Sequence, residues 1–413
     1  MPKKKWDMVI VGGGAGGMVL ALSLAKGGFR IALLDQKSPP IPPPRGEIIQ
    51  PNGLQVLDRL GLLSELQEAD VHCNRKVHFY QSSGAHLCTI DYARLPPPYR
   101  YAMILLPDTL QRLFLKKVSE TANIETYWGA AFKKILWNGG RVAGLEADYH
   151  GKALIFHAPM VVGGDGFGSR VRDAFGIRHR THVYADGYVT MVVDRPPEFG
   201  ETSRYYLGRR KIFGAFPVSR DKIYLFYLVP VKEYDAVRKK GIHRLKEEML
   251  AFHPEISTFF AQTLKTVDAW DATSFMRCTR VRCHDWVVDG GALLGDAAHA
   301  MNPHVAQGRN AAMSDGMRLA QVFEHCVDDG DFSQKILKTY ELDRRRKIEI
   351  LQDLGDEMTW IWNSKSPPIV WARNRIFRSI QKNADFHDKL LSAVAGQQIA
   401  PISFLDRWRA LCS

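Results

Sequence analysis

Five glycines lie between Gly12 and Gly17, directly after an uncharged apolar run, and they exclude most of what this stretch could otherwise become. Residues 8–25 carry no charge and follow Lys3-Lys4-Lys5, so the amino terminus imitates a signal peptide or a membrane span. A helix through those glycines would lose about 1 kcal/mol at each relative to alanine. A strand, a tight turn and a helix instead put each of them to use. Asp7 to Val11 predicts a buried strand, Met18 to Lys26 a helix and Arg30 to Leu34 a second strand. In Gly12-x-Gly14-x-x-Gly17, the first glycine allows the turn, the second lets backbone approach a pyrophosphate, and the third lets helix and strand pack. Asp35 ends the second strand eighteen residues after Gly17, where a carboxylate meets a ribose hydroxyl. The unit is a dinucleotide site, with NAD and FAD both open at this point.

A second cluster, Gly163-Gly164-Asp165-Gly166-Phe167-Gly168-Ser169-Arg170, follows the apolar Met160-Val161-Val162. It imitates a nicotinamide-nucleotide site, but Asp165 would repel a pyrophosphate and no second strand with a terminal acid follows. Asp165 is therefore assigned to bridging and cofactor contact within the first domain, which leaves one bound dinucleotide. A third segment runs from Gly295-Asp296 through Pro303 to Gln307-Gly308-Arg309-Asn310. Ala292 to Leu294 reads as a strand, and Asp296 stands at its carboxyl end, where open α/β sheets bind ligands. Gln307 to His325 has helical spacing, so its first turn offers free N–H groups and a positive dipole end above Gly308.

The net charge of +12 suits an anionic cofactor, a membrane surface or nucleic acid, but no nucleic-acid-binding motif accompanies it. Six scattered cysteines form no C-x-x-C and no ligand spacing with histidine, which argues against a disulfide framework or a metal site and for a reducing cytoplasm. Arg45, delivered by a proline-rich loop, can pair with a pyrophosphate through its planar fork or flank the cofactor ring.

Alternating apolar and aromatic segments at 76–80, 188–194, 204–207, 212–217 and 222–230 predict an antiparallel sheet. Tyr205, Tyr206, Phe213, Phe216, Tyr224, Phe226 and Tyr227 make it rich in aromatic side chains, which suits a flat apolar substrate. From Ser333 onward the chain reads as helical. Trp371 to Leu391 forms a basic amphipathic stretch that docks on the cofactor domain or lies on an anionic membrane.

Taken in order, the three glycine motifs resemble the class A FAD-dependent aromatic monooxygenases, the p-hydroxybenzoate hydroxylase-like family, over residues 6 to about 345. Arg45-Gly46-Glu47, Pro51-Asn52-x-Leu54 and the tail around Arg373-Asn374-Arg375 and Asp406-Arg407 are most similar to the branch acting on quinone and alkylquinolone rings. The resemblance implies an α/β fold: a Rossmann-like FAD-binding domain (1–75, 101–180 and 275–340), an inserted antiparallel-sheet substrate domain (76–100 and 181–274) and a C-terminal helical region (341–413). It implies tightly bound FAD and transient NAD(P)H, and hydroxylation by O2, through a flavin C4a-hydroperoxide, of an aromatic, quinolone, quinone-precursor or polyketide-like ring.

By the same resemblance, Gly12, Gly14, Ala15, Gly17 and Asp35 hold the ADP half of FAD, and Arg45 and Gln111 its pyrophosphate or ribityl region. Gly295 and Asp296 meet pyrophosphate or ribityl oxygens, Asp165-Gly166 serve FAD and NAD(P)H, and Gln307, Gly308, Arg309 and Asn310 direct the helix dipole at the pyrimidine ring. Pro303 lines the space between flavin and substrate, its carbonyl accepting a substrate proton. His304, the titratable side chain beside that zone, is the candidate general base. Ala306 stands where the family usually has glycine, and Asp108 where arginine is common. The rival readings are an FAD-dependent reductase or saturase of the geranylgeranyl reductase type and a non-catalytic flavin-binding redox sensor. A halogenase is disfavoured, since no Trp-x-Trp-x-Ile-Pro motif occurs. The expected state is a cytoplasmic monomer or homodimer with peripheral membrane contact through the basic C-terminal helix.

Overall fold

The computed structural model describes residues 5–39 and 47–412. Arg45 and Gly46 therefore lie outside the described residues. Met8–Val11 and Ile31–Asp35 pair in parallel, and every residue of the two strands except Asp35 is buried. Continuous apolar runs of this kind belong to parallel sheets covered on both faces. The sheet has six strands in the order 287–288, 291–293, 161–163, 8–11, 31–35 and 124–128, all parallel except the first pair. The second glycine cluster thus ends a strand of the first sheet, with Val9 opposite Val161.

The helices Ala15–Lys26 and Gly308–Asp329 cross this sheet in close contact because glycines meet at the crossing. A Cβ on Gly316 would lie 2.5 Å from the Gly16 carbonyl oxygen, and one on Gly16 would lie 2.9 Å from that of Ala312. The helix that ends at Asp329 is therefore held against the dinucleotide fingerprint itself.

A seven-stranded sheet forms the other wall, in the order 273–283, 179–194, 222–230, 212–217, 203–207, 76–81 and 86–91. It is antiparallel except where Ser203–Leu207 runs parallel to Lys76–Gln81. It extends beyond 181–274, since Thr273–Cys283 pairs along His179–Asp194. Side chains alternate between its faces. Leu225, Tyr227, Tyr206 and Phe213 pack against the helices Ile242–Leu250 and Pro254–Phe260, whereas Tyr188, Tyr205, Phe216, Tyr224 and Phe226 face the opposite way. The pleat therefore halves the aromatic set available to a ligand. Two smaller antiparallel sheets, 130–157 and 47–49 with 72–74 and 102–105, complete a mixed α/β fold with an inserted antiparallel sheet and a C-terminal helical stretch.

The amphipathic helix Pro367–Lys382 docks on the aromatic sheet rather than on the FAD-binding sheet. Phe377 lies 4.9 Å from Phe79, ring centre to ring centre, and Arg94 grips Asp388 of the next helix at 2.5 and 2.8 Å. Its apolar spacing was a sound sign of burial, but periodicity cannot say which surface a helix covers.

Candidate active site

The glycine loop is closed by backbone contacts that tolerate no side chain. Gly12 has φ of 119°, and a Cβ there would lie 2.2 Å from the Gly164 carbonyl oxygen; one on Gly17 would lie 2.1 Å from that of Gly12. At Gly14, by contrast, a Cβ would face open space. Gly14 also caps Ala15–Lys26 without a side-chain hydrogen bond, so the first N–H groups of that helix, from buried Ala15 on, remain available to an anion. Asp35 Oδ2 accepts from Gly13 N at 2.8 Å and its Oδ1 from Lys37 N at 2.8 Å, which aims the carboxylate over the loop. Gln111 Nε2 donates to Gly13 O at 2.8 Å and secures the loop from the other side.

The Asp165 carboxylate is engaged within its own turn. It accepts from Ser169 Oγ at 2.5 Å and from the N–H groups of Arg170 and Val171 at 2.8 and 3.2 Å, so it braces the start of the short helix Arg170–Ala174, whose N-cap is Ser169. Gly166, with φ of 87°, lies in that turn. Buried Arg172 donates to both Phe167 O and Ala297 O at 3.1 Å, tying this loop to the Gly295-Asp296 turn.

Gly295 adopts φ of 59°, and its N–H reaches Asp315 Oδ2 at 3.1 Å. Asp315 also accepts from His299 Nε2 at 2.6 Å and Arg344 Nε at 2.7 Å, and it is fully buried. Burial alone would raise this carboxyl, but His299 and Arg344 outweigh it and hold it down at about 2. A charged cluster therefore fixes the turn that presents Asp296. Sequence reading missed it, although Asp315 sits four residues from Ala311 and from Leu319, on the apolar face of its helix. The adjacent Arg345 pairs with Glu341 at 2.6 Å.

Gln307 and Asn310 also turn their side chains into the protein. Gln307 Nε2 donates to Val394 O at 2.6 Å, while Asn310 accepts from Gln50 N at 3.0 Å and donates to Ile48 O at 3.1 Å. They clamp neighbouring segments, leaving the helix start itself to face a ligand. Gln307 makes no side-chain cap there, and Gly308 opens the helix. Arg309 pairs with Glu47, and its Nη1 is buried with no acceptor among the described residues. Pro303 opens a 3-10 turn whose carbonyl accepts from Ala306 N at 2.8 Å. Asp108 pairs with Arg112 at 2.9 Å along its own helix.

Between this segment and the aromatic sheet lies a cavity of about 400 Å³. Asp296, Pro303, Gly308 and Arg309 stand on one side, and Tyr188, Tyr205, Tyr224 and Phe226 on the other. His304 lies at the junction, with Nε2 3.1 Å from the Tyr188 hydroxyl and its ring 5.3 Å from that of Trp362. Nδ1 contacts Asn302 Oδ1. Burial pushes His304 down to about 4 and Tyr188 well above its ordinary value. At neutral pH a neutral imidazole thus accepts from a protonated phenol. Tyr188 and Trp362 carried no motif; the pleat and the fold bring them to the cavity.

The family model for the FAD binding domain matches residues 5–353. The chain belongs to this FAD-binding family. The 6-methylpretetramide 4-monooxygenase of Streptomyces rimosus is 28% identical over 395 residues, covering 93% of each chain. The 6-hydroxy-3-succinoylpyridine 3-monooxygenase HspB of Pseudomonas putida is 26% identical, covering 92% of this chain and 95% of that one. Among solved structures, the p-nitrophenol 4-monooxygenase PnpA of Pseudomonas putida superposes with a TM-score of 0.81 at 21% identity, covering 96% of this chain and all of that one.

As a member of this family, the protein is an FAD-dependent monooxygenase that uses NAD(P)H and O2. Its own geometry fits the cofactor. The open Gly14 cradle, two helix starts without side-chain caps and the buried, acceptor-free Nη1 of half-buried Arg309 suit an elongated dianion with an electron-poor ring. Among the described residues no group of three His, Cys, Asp or Glu side chains could hold a metal ion, and no helix is long and apolar enough to cross a membrane.

Proposed function

We propose that this flavoenzyme hydroxylates an electron-rich aromatic ring carrying an ionisable hydroxyl or amine, held between the start of the Gly308–Asp329 helix and the aromatic sheet. One observation carries the reading: the 400 Å³ cavity has the FAD-side residues on one wall and the Tyr188–His304 pair with Tyr205, Tyr224 and Phe226 on the other. The similar proteins are named for oxygenating 6-methylpretetramide, 6-hydroxy-3-succinoylpyridine and p-nitrophenol, which supports a ring substrate of this class.

When bound and reduced, FAD would supply the two electrons that activate O2, one atom of which enters the ring while the other leaves as water. The chain's residues position, shield and move protons. Gly12, Gly14, Ala15, Gly17 and Asp35 hold the ADP half, with Gln111 bracing the loop. Gly295 and Asp296 would meet the ribityl and pyrophosphate oxygens, and the helix start at Gly308, with Arg309, would offer positive charge to the flavin ring, a preorganised electrostatic effect. The aromatic wall excludes water and orients the substrate ring face-on. Tyr188 passes the substrate proton to neutral His304, and where the substrate group is an amine the second lone pair of the Pro303 carbonyl accepts its other N–H. Purified yellow protein should oxidise NAD(P)H slowly alone and at least tenfold faster with a suitable phenol; no stimulation by phenols, hydroxypyridines or hydroxyquinolines would overturn the reading.

Exposed Trp371, Phe404 and Trp408, together with exposed Arg378 and Lys382 on the helix that bears Trp371, support peripheral contact with an anionic membrane. Failure to co-float with anionic liposomes would remove that contact.

A further inference from the structure

A second cavity, of about 140 Å³, lies between the aromatic sheet and the C-terminal helices. The two cavities are neighbours, with Ile48, Tyr205, His304, Ala306 and Trp362 lining both. The walls of the second are mostly apolar, aromatic on the sheet side and aliphatic on the helix side: Ile361 and Met358 come from the Gln334–Trp362 helix, Ile376 and Ile380 from the next, and Leu391 and Val394 from the one after. Apolar cavities of this size stay dry and take apolar ligands. At the rim, Glu357 is held by Arg407 at 2.7 and 2.6 Å.

Of the three charged side chains that line this cavity, Glu357 and Arg407 pair with each other and Arg373 is the fully buried one. Its Nη1 donates to Gly208 O at 2.8 Å and Trp362 O at 3.1 Å, and its Nε to Asn374 Oδ1 at 3.1 Å. Its Nη2 has no acceptor among the described residues. A buried, unmatched guanidinium N–H is costly, and a ligand oxygen would satisfy it.

We propose that this cavity binds an aliphatic tail of the substrate, continuous with the ring in the first cavity, and that Arg373 Nη2 anchors a carbonyl or carboxylate oxygen on that tail. The assignment rests on the first cavity being the ring site. It makes the substrate an aromatic head bearing an oxygenated aliphatic chain, with Trp362 and Ala306 lining the neck between the two parts.

The test uses calorimetry on the FAD-loaded enzyme with straight-chain alkanoates from hexanoate to dodecanoate, and with alkan-1-ols of matched length. Affinity should rise about threefold per added methylene, approaching the value for full burial, until the cavity is filled. Each alkanoate should bind at least tenfold tighter than its alkanol, and Arg373→Met should abolish that preference. Ile376→Phe and Val394→Phe, each confirmed folded by an unchanged melting temperature, should weaken decanoate at least tenfold. Absence of saturable alkanoate binding, equal affinity for acid and alcohol, or a length dependence unchanged in both phenylalanine variants would overturn the proposal. These readouts need no turnover. Alkanoate binding without oxygenation of any aromatic compound would therefore count against the proposed function and leave the tail site standing.

Discussion

The Tyr188 hydroxyl lies 3.1 Å from His304 Nε2, so a residue of the aromatic sheet and one of the loop before the Gly308–Asp329 helix share a hydrogen bond at the cavity. If the two act as one proton path, Tyr188→Phe and His304→Gln should each lower kcat about a hundredfold, and the double variant little further. Steady-state kinetics with a responsive phenol measures this. Additive losses would show that the two act separately.

Burial also sets where pH should matter. His304 is depressed from 6.5 to about 4, so the unfolded chain binds its proton between those values while the folded chain does not. Stability contributed by the neutral ring is complete above pH 6.5 and falls as pH drops towards 4, by up to about 3 kcal/mol. Denaturant unfolding between pH 4 and 7 should show this slope, and His304→Gln should flatten it. The acid limb of kcat/KM should likewise lie nearer pH 4 than 6.5.

The Asp315 carboxylate joins Gly295 N–H, His299 and Arg344 in full burial. Removing one partner of such a cluster leaves uncompensated charge, so Asp315→Asn should cost about 3 kcal/mol or more. Because the cluster sets the turn bearing Asp296, the variant should also release FAD more readily. Chemical unfolding and flavin fluorescence after dialysis read the two effects. Full FAD retention would detach the cluster from the cofactor site.

Ala306 occupies the left-handed region at φ 50° and ψ 37°, where alanine is strained by about 1–2 kcal/mol. Glycine relieves that strain but adds unfolded-state entropy worth about 0.4–1 kcal/mol. Ala306→Gly should therefore stabilise the protein by about 0 to 1.6 kcal/mol. A shift in the denaturation midpoint to lower denaturant would contradict this account.

The glycine fingerprint was legible because its chemistry is local: Gly12 and Gly17 cannot carry a Cβ, and Asp35 ends the neighbouring strand. The strands at 212–217 and 222–230 were legible from alternation and apolar content. Which of their aromatics face a ligand was not, since period 2 gives two faces but not the identity of either; Tyr224 and Tyr227 fall on opposite sides. Side-chain direction was equally hidden at the helix start. Gln307 and Asn310 sit at the motif positions, yet their amides bind Val394, Gln50 and Ile48, partners distant in the chain. The Ala306 departure was visible in the sequence, and its consequence emerged only from the backbone angle.

The central claim is that one atom of O2 enters an aromatic ring held in the 400 Å³ cavity. The most direct measurement is mass spectrometry of the product formed under 18O2 by the FAD-loaded enzyme, NAD(P)H and a phenol that stimulates NAD(P)H oxidation. The account predicts a hydroxylated ring carrying a single 18O atom, with one O2 consumed per product. An unlabelled product, or reduction of an alkene proceeding equally well without O2, would contradict it.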